Sequence, residues 1–468
     1  MSLPTPTDHQ WEQISAAGDW YKDLGRSMEQ VMVYPDGFGG SFLGNGQDFF
    51  MGGYAGTGKS TVLPYCIEKF GLSFSQVAFC APTGKAAKVM TTKLHQFGIW
   101  QNATTIHKLI YMPKSEAADA IKYQIDDLEK HMAFVSSNGS VGKASLNEEF
   151  AVLKDLKAIK ARLTDLSFEL HRAMDNQGPA FSLRGREEFP EDVKLIVVDE
   201  GSMVGAEVAN DLASFGRPIF IMGDPGQLPP VADDYGFACD QPDAFLTEIH
   251  RQAADNPIIR LATLVRQGEE LAEGDYGQGV RVLNRKQDDA TMDMDREAMV
   301  ICGTHKKRWT LTKKIRRELG YDESGPGQDE PLLICRNHKK IPVMVNGTIF
   351  RNLTEHGNLV PGQSKFPITV MDTEGDGLTY DIEVTQGLFE EHQARRRNAY
   401  TATASDAFRA NKTCVHMDYG HVLTCHKSQG SQWDEVVVHD ESAAFRDDRY
   451  RWLYTAITRA AERLTIVQ

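Results

Sequence analysis

No stretch of the chain approaches the roughly 18 consecutive apolar residues of a membrane-spanning helix, so no membrane partner is expected. Positive charge is in deficit: 51 Lys and Arg face 65 Asp and Glu, for a net charge of −14. That argues against a protein that holds nucleic acid by a global positive field. It leaves room for a local groove, because phosphate contacts need only a few placed cations and backbone donors. Cysteine is sparse. Cys66, Cys80, Cys239, Cys302, Cys335, Cys414 and Cys425 form no C-x-x-C pair. A disulfide framework or a structural zinc site is therefore not expected, and a reducing cytoplasm fits. The stretch from Met1 to Trp20 is polar and acidic, without the basic start and apolar run of a secretory signal. What remains is an ordinary globular composition, 41% hydrophobic and 25% charged over 468 residues. That length allows about two to four domains, each with its own core.

The first landmark is Gly53-Tyr54-Ala55-Gly56-Thr57-Gly58-Lys59-Ser60-Thr61. It matches G-x-x-x-x-G-K-[ST] at every fixed position. In such a loop the glycines let backbone N–H groups wrap phosphates, the lysine reaches the β/γ oxygens and the hydroxyl supplies a Mg²⁺ ligand. The apolar run Asp48–Met51 before it reads as a buried strand, and Val62–Ile67 after it as a helix. Further apolar runs at 77–80, 193–198 and 219–222 each end in a polar loop, the habit of open parallel α/β sheets. The second run ends in Asp199-Glu200. Beside a phosphate loop, Asp199 is expected to hold Mg²⁺ and Glu200 to act as general base on the attacking water. The third run leads to Gly223-Asp224-Pro225-Gly226-Gln227, where the Gln227 amide is placed to sense the γ-phosphate or its water.

Between Met112 and Pro190 the texture changes. Ile121, Ile125, Leu128 and Met132 repeat at helical spacing, as do Val152, Leu156, Ile159, Leu163, Leu166 and Leu170. The two seams read as a helical hairpin, either an antiparallel coiled coil or helices packed on the sheet. The second half repeats the α/β logic, with strands at 299–302, 332–335, 436–438 and 464–467 and a basic helix at 306–319. From Gly347 to about Cys414, short strands, turns and a charged Glu390–Arg397 loop suggest a small β module.

These motifs together resemble the superfamily 1 DNA helicases of the group typified by RecD and the phage helicase Dda. The resemblance rests on the phosphate loop, A-P-T-G-K-A-A at 81–87, T-I-H-K-L at 105–109, D-E-G-S-M-V at 199–204 and G-D-P-G-Q-L-P-P-V at 223–231. It extends through H-R-Q at 250–252, L-T-C-H-K-S-Q-G-S-Q-W-D at 423–434 and L-Y-T-A-I-T-R-A at 453–460. It is weak in the helical insertion and the β module.

The resemblance implies an α/β fold of two RecA-like domains with ATP and Mg²⁺ in the cleft between them. The first would comprise residues 1–111 and 191–243, with the helical insertion at 112–190. The second would comprise 244–346 and 416–468, with an SH3-like β insertion at 347–415. Gln10 would read adenine. Gly53, Ala55, Gly56, Thr57, Gly58, Lys59, Ser60, Thr61, Asp199 and Gly430 would contact the nucleotide, with Ser60 and Asp199 on the metal. Lys59, Glu200, Gln227, Arg251 and Arg459 would be catalytic, the arginines supplying cations when the cleft closes. Pro82, Thr83, Thr105, His107, Thr424, His426, Lys427 and Ser428 would contact single-stranded DNA, with little sequence specificity.

The implied activity is 5′-to-3′ translocation on single strands and unwinding at single-strand/duplex junctions, by a cytoplasmic monomer that works with replication or recombination proteins. Two other readings stay open: a translocase that remodels protein–DNA complexes, and the motor subunit of a helicase–nuclease complex. The sequence departs from the family at Gly201, where alanine is common, a change expected to matter little. It departs again at the long insertion, which would carry a strand-separating pin in 181–189 or serve as a docking arm.

Overall fold

The computed structural model describes residues 4–30, 47–137, 150, 153, 155–174, 181–230, 235–239, 241–248, 255–284, 297–321, 324–338, 340–355, 359–373, 375, 377–395, 410 and 413–468. The chain divides into two compact units, one of Met1–Thr105 with Asp192–Gln468 and one of Ile106–Glu191. Among the described residues no helix is long and apolar enough to cross a membrane.

In the larger unit, six strands form a first sheet in the order Thr104–Thr105, Val77–Ala81, Leu195–Val198, Ile219–Gly223, Asp48–Gly53, Ala244–Leu246. Every pair is parallel. Leu195–Val198 and Ile219–Gly223 are buried along their whole length, as expected of strands covered on both faces. Ala244–Leu246 extends this sheet past the boundary expected at 243. The helix Asp8–Gln30 contributes Ile14 and Ala17 to the core, against strand and helix residues that include Phe49, Val62 and Phe220.

A second sheet runs Val422–Thr424, Met299–Cys302, Trp433–His439, Ala460–Val467, Val280–Leu283, Gly274–Gly277. It is parallel apart from its last pair. The helices Pro257–Arg266 and Arg449–Ile457 supply Leu261, Val265, Trp452 and Tyr454 to its core.

The β module is a five-stranded antiparallel sheet, wider than the 347–415 expected. Pro331–Ile334, read from sequence as a strand of the second parallel sheet, pairs instead with Ile349–Asn352 and Met417–Tyr419. A four-residue apolar run carries no mark of which sheet it joins. The charged stretch after 387, read as a loop, is the helix Gly387–Ala394, with Glu390, Glu391 and His392 buried. Partners explain the burial: Glu390 accepts from the Gln386 amide (2.9 Å) and His392 lies 2.9 Å from Asp418. Asp418 also pairs with Arg308 of the basic helix His305–Glu318 (2.9 Å), and Arg316 on the same helix pairs with Glu330 (2.7 Å). Burial alone would raise the Asp418 carboxyl, but His392 and Arg308 outweigh it and hold it well below the usual carboxylate range.

The smaller unit is the hairpin of Lys114–Ser136 and Leu156–Met174. Leu128, Phe150, Ile159 and Leu166 form its buried seam, flanked by Ile121, Ile125, Met132 and Leu163. Val152 lies outside the described residues. The unit begins at Ile106, earlier than the expected 112. It takes in the short helix Ile106–Ile110 and a two-stranded ribbon, Tyr111–Pro113 with Phe181–Leu183.

Gly201 corrects an expectation. A Cβ there would meet Ile221 Cγ2 at 2.1 Å, and a β-branched side chain in a fully buried strand has little freedom to give way. Gly201→Ala is therefore expected to lower stability by about 1–3 kcal/mol. Thermal unfolding would read this as a lower midpoint; an unchanged midpoint would show that Ile221 yields without cost.

Candidate nucleotide site

The phosphate loop leaves the strand Asp48–Gly53 and enters the helix Lys59–Lys69. Gly56 and Gly58 both have φ of +81°, a conformation that costs an L side chain energy. A Cβ on Gly53 would press on Thr57 Oγ1 at 2.7 Å. The Lys59 ammonium donates to the carbonyls of Gly53 and Tyr54, and the Thr57 hydroxyl donates to the Tyr54 carbonyl (2.8 Å). Gln10 is buried, its amide donating to the Thr57 carbonyl (3.1 Å) and accepting from Thr7 N–H (3.0 Å). It thus sits on the phosphate loop.

Two other strand ends meet this loop. Asp199 Oδ1 accepts from its neighbour's N–H (3.0 Å), and Glu200 has φ of +54°. A non-glycine residue in that region stores strain, a common feature of working sites. Burial, joined by the Glu200 carboxylate, pushes the Asp199 carboxyl up, while Lys93 and Lys59 pull it back. Lys93 also donates to Ser60 Oγ (3.1 Å). A small cavity is lined by Ser60, Lys93 and Asp199 on its polar side and Leu63, Met90 and Met222 on the other. From the third strand end, Asp224 is fully buried, its carboxyl raised by burial and lowered by Lys59 and Tyr454. Its Oδ1 accepts Gly226 N–H (3.0 Å) and its carbonyl accepts Gln227 N–H (3.1 Å), a turn that presents Gln227. Among the described residues, the buried Gln227 Oε1 has no hydrogen-bond partner. The residues fit a magnesium nucleotide: left-handed glycines and an ammonium on the loop, a hydroxyl and a carboxylate that share one small cavity, and an orphaned acceptor on the Gln227 turn.

The other expected residues are placed less directly. Arg459 is buried and bonded within its own domain, to the carbonyls of Thr455 (3.0 Å) and Ser431 (3.1 Å) and to Thr458 Oγ1 (3.1 Å). Arg251 lies outside the described residues. Gly430, with φ of +71°, lies against Ala86, where a Cβ would approach Ala86 Cβ at 3.0 Å. Thr61 lies in the first turn of the helix Lys59–Lys69, its N–H bonded to the Gly58 carbonyl (2.9 Å).

Among the residues expected at DNA, Thr83 caps the helix Gly84–Gln96, its hydroxyl accepting Ala86 N–H (3.1 Å). Pro82 is half-buried beside it, and Thr105 pairs with Ala81 in the first sheet. In the smaller unit, His107 is exposed and packs on Tyr111 (5.1 Å). Thr424 is buried and precedes the helix Cys425–Ser428. On that helix, Lys427 is exposed, with its ammonium 3.8 Å from Cys335 Sγ. His426 packs on Phe445 (5.8 Å), its ring pKa lowered by burial against an opposing pull from Asp448. Ser428 is fully buried with its hydroxyl on the Cys425 carbonyl (2.7 Å), which leaves it no surface for a strand.

Sequence reasoning missed Lys93, Asp224 and Tyr454. Asp224 lay inside a quoted motif and Tyr454 inside another, but neither was assigned a role. Lys93, on a helix turn beyond A-P-T-G-K-A-A, gave no signal.

A family model described as AAA domain matches residues 45–233, and one described as UvrD-like helicase C-terminal domain matches 419–467. The chain is 28% identical over 316 residues to the ATP-dependent RecD2 DNA helicase of Deinococcus radiodurans, covering 63% of this chain and 39% of that protein. It is 26% identical over 393 residues to the RecBCD enzyme subunit RecD of Mycolicibacterium smegmatis, covering 78% and 66%. The chain thus spans about two fifths of one relative's length and just under two thirds of the other's. Among solved structures it is similar to the Pif1 helicase from Candida albicans, at 15% identity and TM-score 0.47 over 100% of this chain and 95% of that one. It is also similar to Bacteroides Pif1 bound to ssDNA, at 15% identity and TM-score 0.43 over 96% and 91%. On its motif series, the two domain matches and the curated relatives, the chain is similar to superfamily 1 helicases of the RecD kind.

Proposed function

We propose that this chain is an ATP-dependent DNA helicase that moves 5′ to 3′ on single-stranded DNA and opens duplex by hydrolysing Mg-ATP between its two parallel-sheet domains. The observation that carries the reading is the convergence of Lys59, Ser60, Asp199, Glu200 and the Gln227 turn, with the buried Gln227 Oε1 unpartnered among the described residues.

In this reading Lys59 exchanges the Gly53 and Tyr54 carbonyls for phosphate oxygens. Ser60 and Asp199 hold Mg²⁺, which when bound offsets negative charge on the phosphates. Glu200 takes the proton of the attacking water, and Gln227 Oε1 accepts the water's other hydrogen. Gln10 keeps the adenine end in register through Thr57. Arg459 supplies its cation after exchanging Ser431 and Thr455 for phosphate oxygens as the cleft closes, and Arg251 is assigned the same task by its motif.

In the larger unit, single-stranded DNA would meet Pro82, Thr105, His426 and Lys427; in the smaller unit, the motif assigns His107 a contact of its own. Thr83, Thr424 and Ser428 would act behind that surface. Phe181 and Leu183, 50% and 40% exposed on the ribbon of the smaller unit, suit a strand-separating edge. A second reading, the motor of a larger enzyme, is favoured by similarity to a protein named as a subunit of RecBCD.

Two labelled duplexes, one with a 5′ and one with a 3′ single-stranded tail, test the proposal. ATP-dependent opening of the 5′-tailed duplex alone is expected. Opening of the 3′-tailed duplex alone would overturn the polarity. Hydrolysis on single strands without opening of either would favour a remodelling translocase or a motor that needs its partner.

A further inference from the structure

The Tyr454 hydroxyl lies where three elements meet. It belongs to the helix Arg449–Ile457 of the second parallel-sheet domain, and it is buried. Its oxygen accepts the N–H of Ala55 in the phosphate loop at 3.0 Å, and its proton goes to Asp224 Oδ2 at 2.8 Å. The other oxygen of Asp224 accepts Gly226 N–H, which closes the turn presenting Gln227. One hydroxyl therefore joins the phosphate loop to the Gln227 turn through a single chain: Ala55 N–H to oxygen, O–H to carboxylate, carboxylate to Gly226 N–H. Bonds in such a chain polarise and strengthen one another away from water.

The same helix and its neighbourhood hold that turn at further points. Leu228 N–H donates to Thr455 Oγ1 (2.9 Å), and the Gln429 amide donates to the Leu228 carbonyl (3.2 Å). The phosphate loop is also tied to the second domain by the Arg266 guanidinium, 3.6 Å above the Tyr54 ring, and by the packing of Tyr54 and Ala55 on that domain's apolar core. The ring of Tyr454 fits tightly, since a Cβ on Gly226 would approach its Cε1 at 3.1 Å. Arg459 follows one turn later and bonds back to the Thr455 carbonyl. The helix that ends two residues before the arginine thus also fastens the loop and the glutamine it must act with.

We propose that Tyr454 is a positioning residue for the hydrolysis described above, its hydroxyl setting the phosphate loop and the Gln227 turn in register across the two domains. The inference rests on the proposed ATPase reading. Without the hydroxyl, Ala55 N–H and Asp224 Oδ2 lose their shared partner while the ring still fills its place.

Tyr454→Phe in the full chain is the test, read by steady-state ATP hydrolysis on single-stranded DNA. The expected result is a fall in kcat of about 10- to 100-fold, the scale of removing a partner from buried polar groups. KM for ATP should stay within about threefold, and the unfolding midpoint without nucleotide should fall by only a few degrees as the two buried groups lose their partner. Asp224→Asn should show the same pattern, and the double variant should be little worse than the worse single one, because both changes break one chain. Wild-type kcat in Tyr454→Phe, or full additivity with Asp224→Asn, would overturn the proposal and leave the ATPase reading intact. A wild-type protein without ATP hydrolysis would overturn both. If Tyr454→Phe fails to fold, Asp224→Asn alone decides: reduced kcat at preserved KM supports the chain, and unchanged kcat refutes it.

Discussion

Lys59→Ala is expected to abolish single-strand-stimulated ATP hydrolysis, a loss of at least about 10²–10³-fold. The ammonium is the one cation on the phosphate loop itself, held at the carbonyls of Gly53 and Tyr54. Phosphoryl transfer asks the protein chiefly to position groups and to stabilise spread negative charge, and a methyl group does neither. The substitution also removes a charge that lowers the carboxyls of Asp199 and Asp224, both raised by burial. Those two carboxyls should then ionise less readily, which weakens the metal site as well. The loop itself should survive, because its shape comes from Gly56 and Gly58 and the helix behind it. Steady-state turnover with and without single-stranded DNA measures the effect. Unchanged stimulated turnover would mean that ATP is not hydrolysed at this loop.

Glu200→Gln is expected to separate binding from chemistry. Hydrolysis should fall by about 10²–10⁴-fold, the usual contribution of a general base, while affinity for a fluorescent ATP analogue stays within a few-fold. Glutamine keeps the shape and the left-handed backbone at φ of +54°, so the strain stays and only the proton acceptor goes. The Glu200 carboxylate also raises its neighbour Asp199. Its neutralisation should let Asp199 ionise more easily and hold the metal at least as well. Hydrolysis that persists above about a tenth of the wild-type rate would assign the base to another group.

The phosphate loop and Asp199-Glu200 could be read along the chain because their chemistry is local. Spacing within nine consecutive residues sets the loop, and an apolar run followed by two carboxylates announces a strand end at a cleft. The hairpin was legible for a similar reason, since its apolar residues recur at helical spacing. The assignment of Leu332–Ile334 was not legible, because a short apolar run suits a parallel or an antiparallel sheet equally. Nor was the helix at 387–394, whose charged residues are buried by partners on distant elements. For Thr83 and Ser428 the sequence offered hydroxyls, but backbone groups nearby take them up as a cap and a helix-end bond.

By itself, then, the sequence determined which groups the proposed chemistry has to use: a phosphate loop, two adjacent carboxylates at a strand end, and a sequence order of motifs that places them in two α/β halves. Only the tertiary structure decided how those parts are fastened. Ala55 and Tyr454 lie 399 positions apart, Asp224 and Tyr454 230, and Ser60 and Lys93 33. Ile221, on the neighbouring strand, crowds any methyl at Gly201. A motif records which groups sit near one another along the chain. Hydrogen bonds and steric contacts act over a few ångströms in space, and no spacing in the sequence encodes those distances until the sheets have formed.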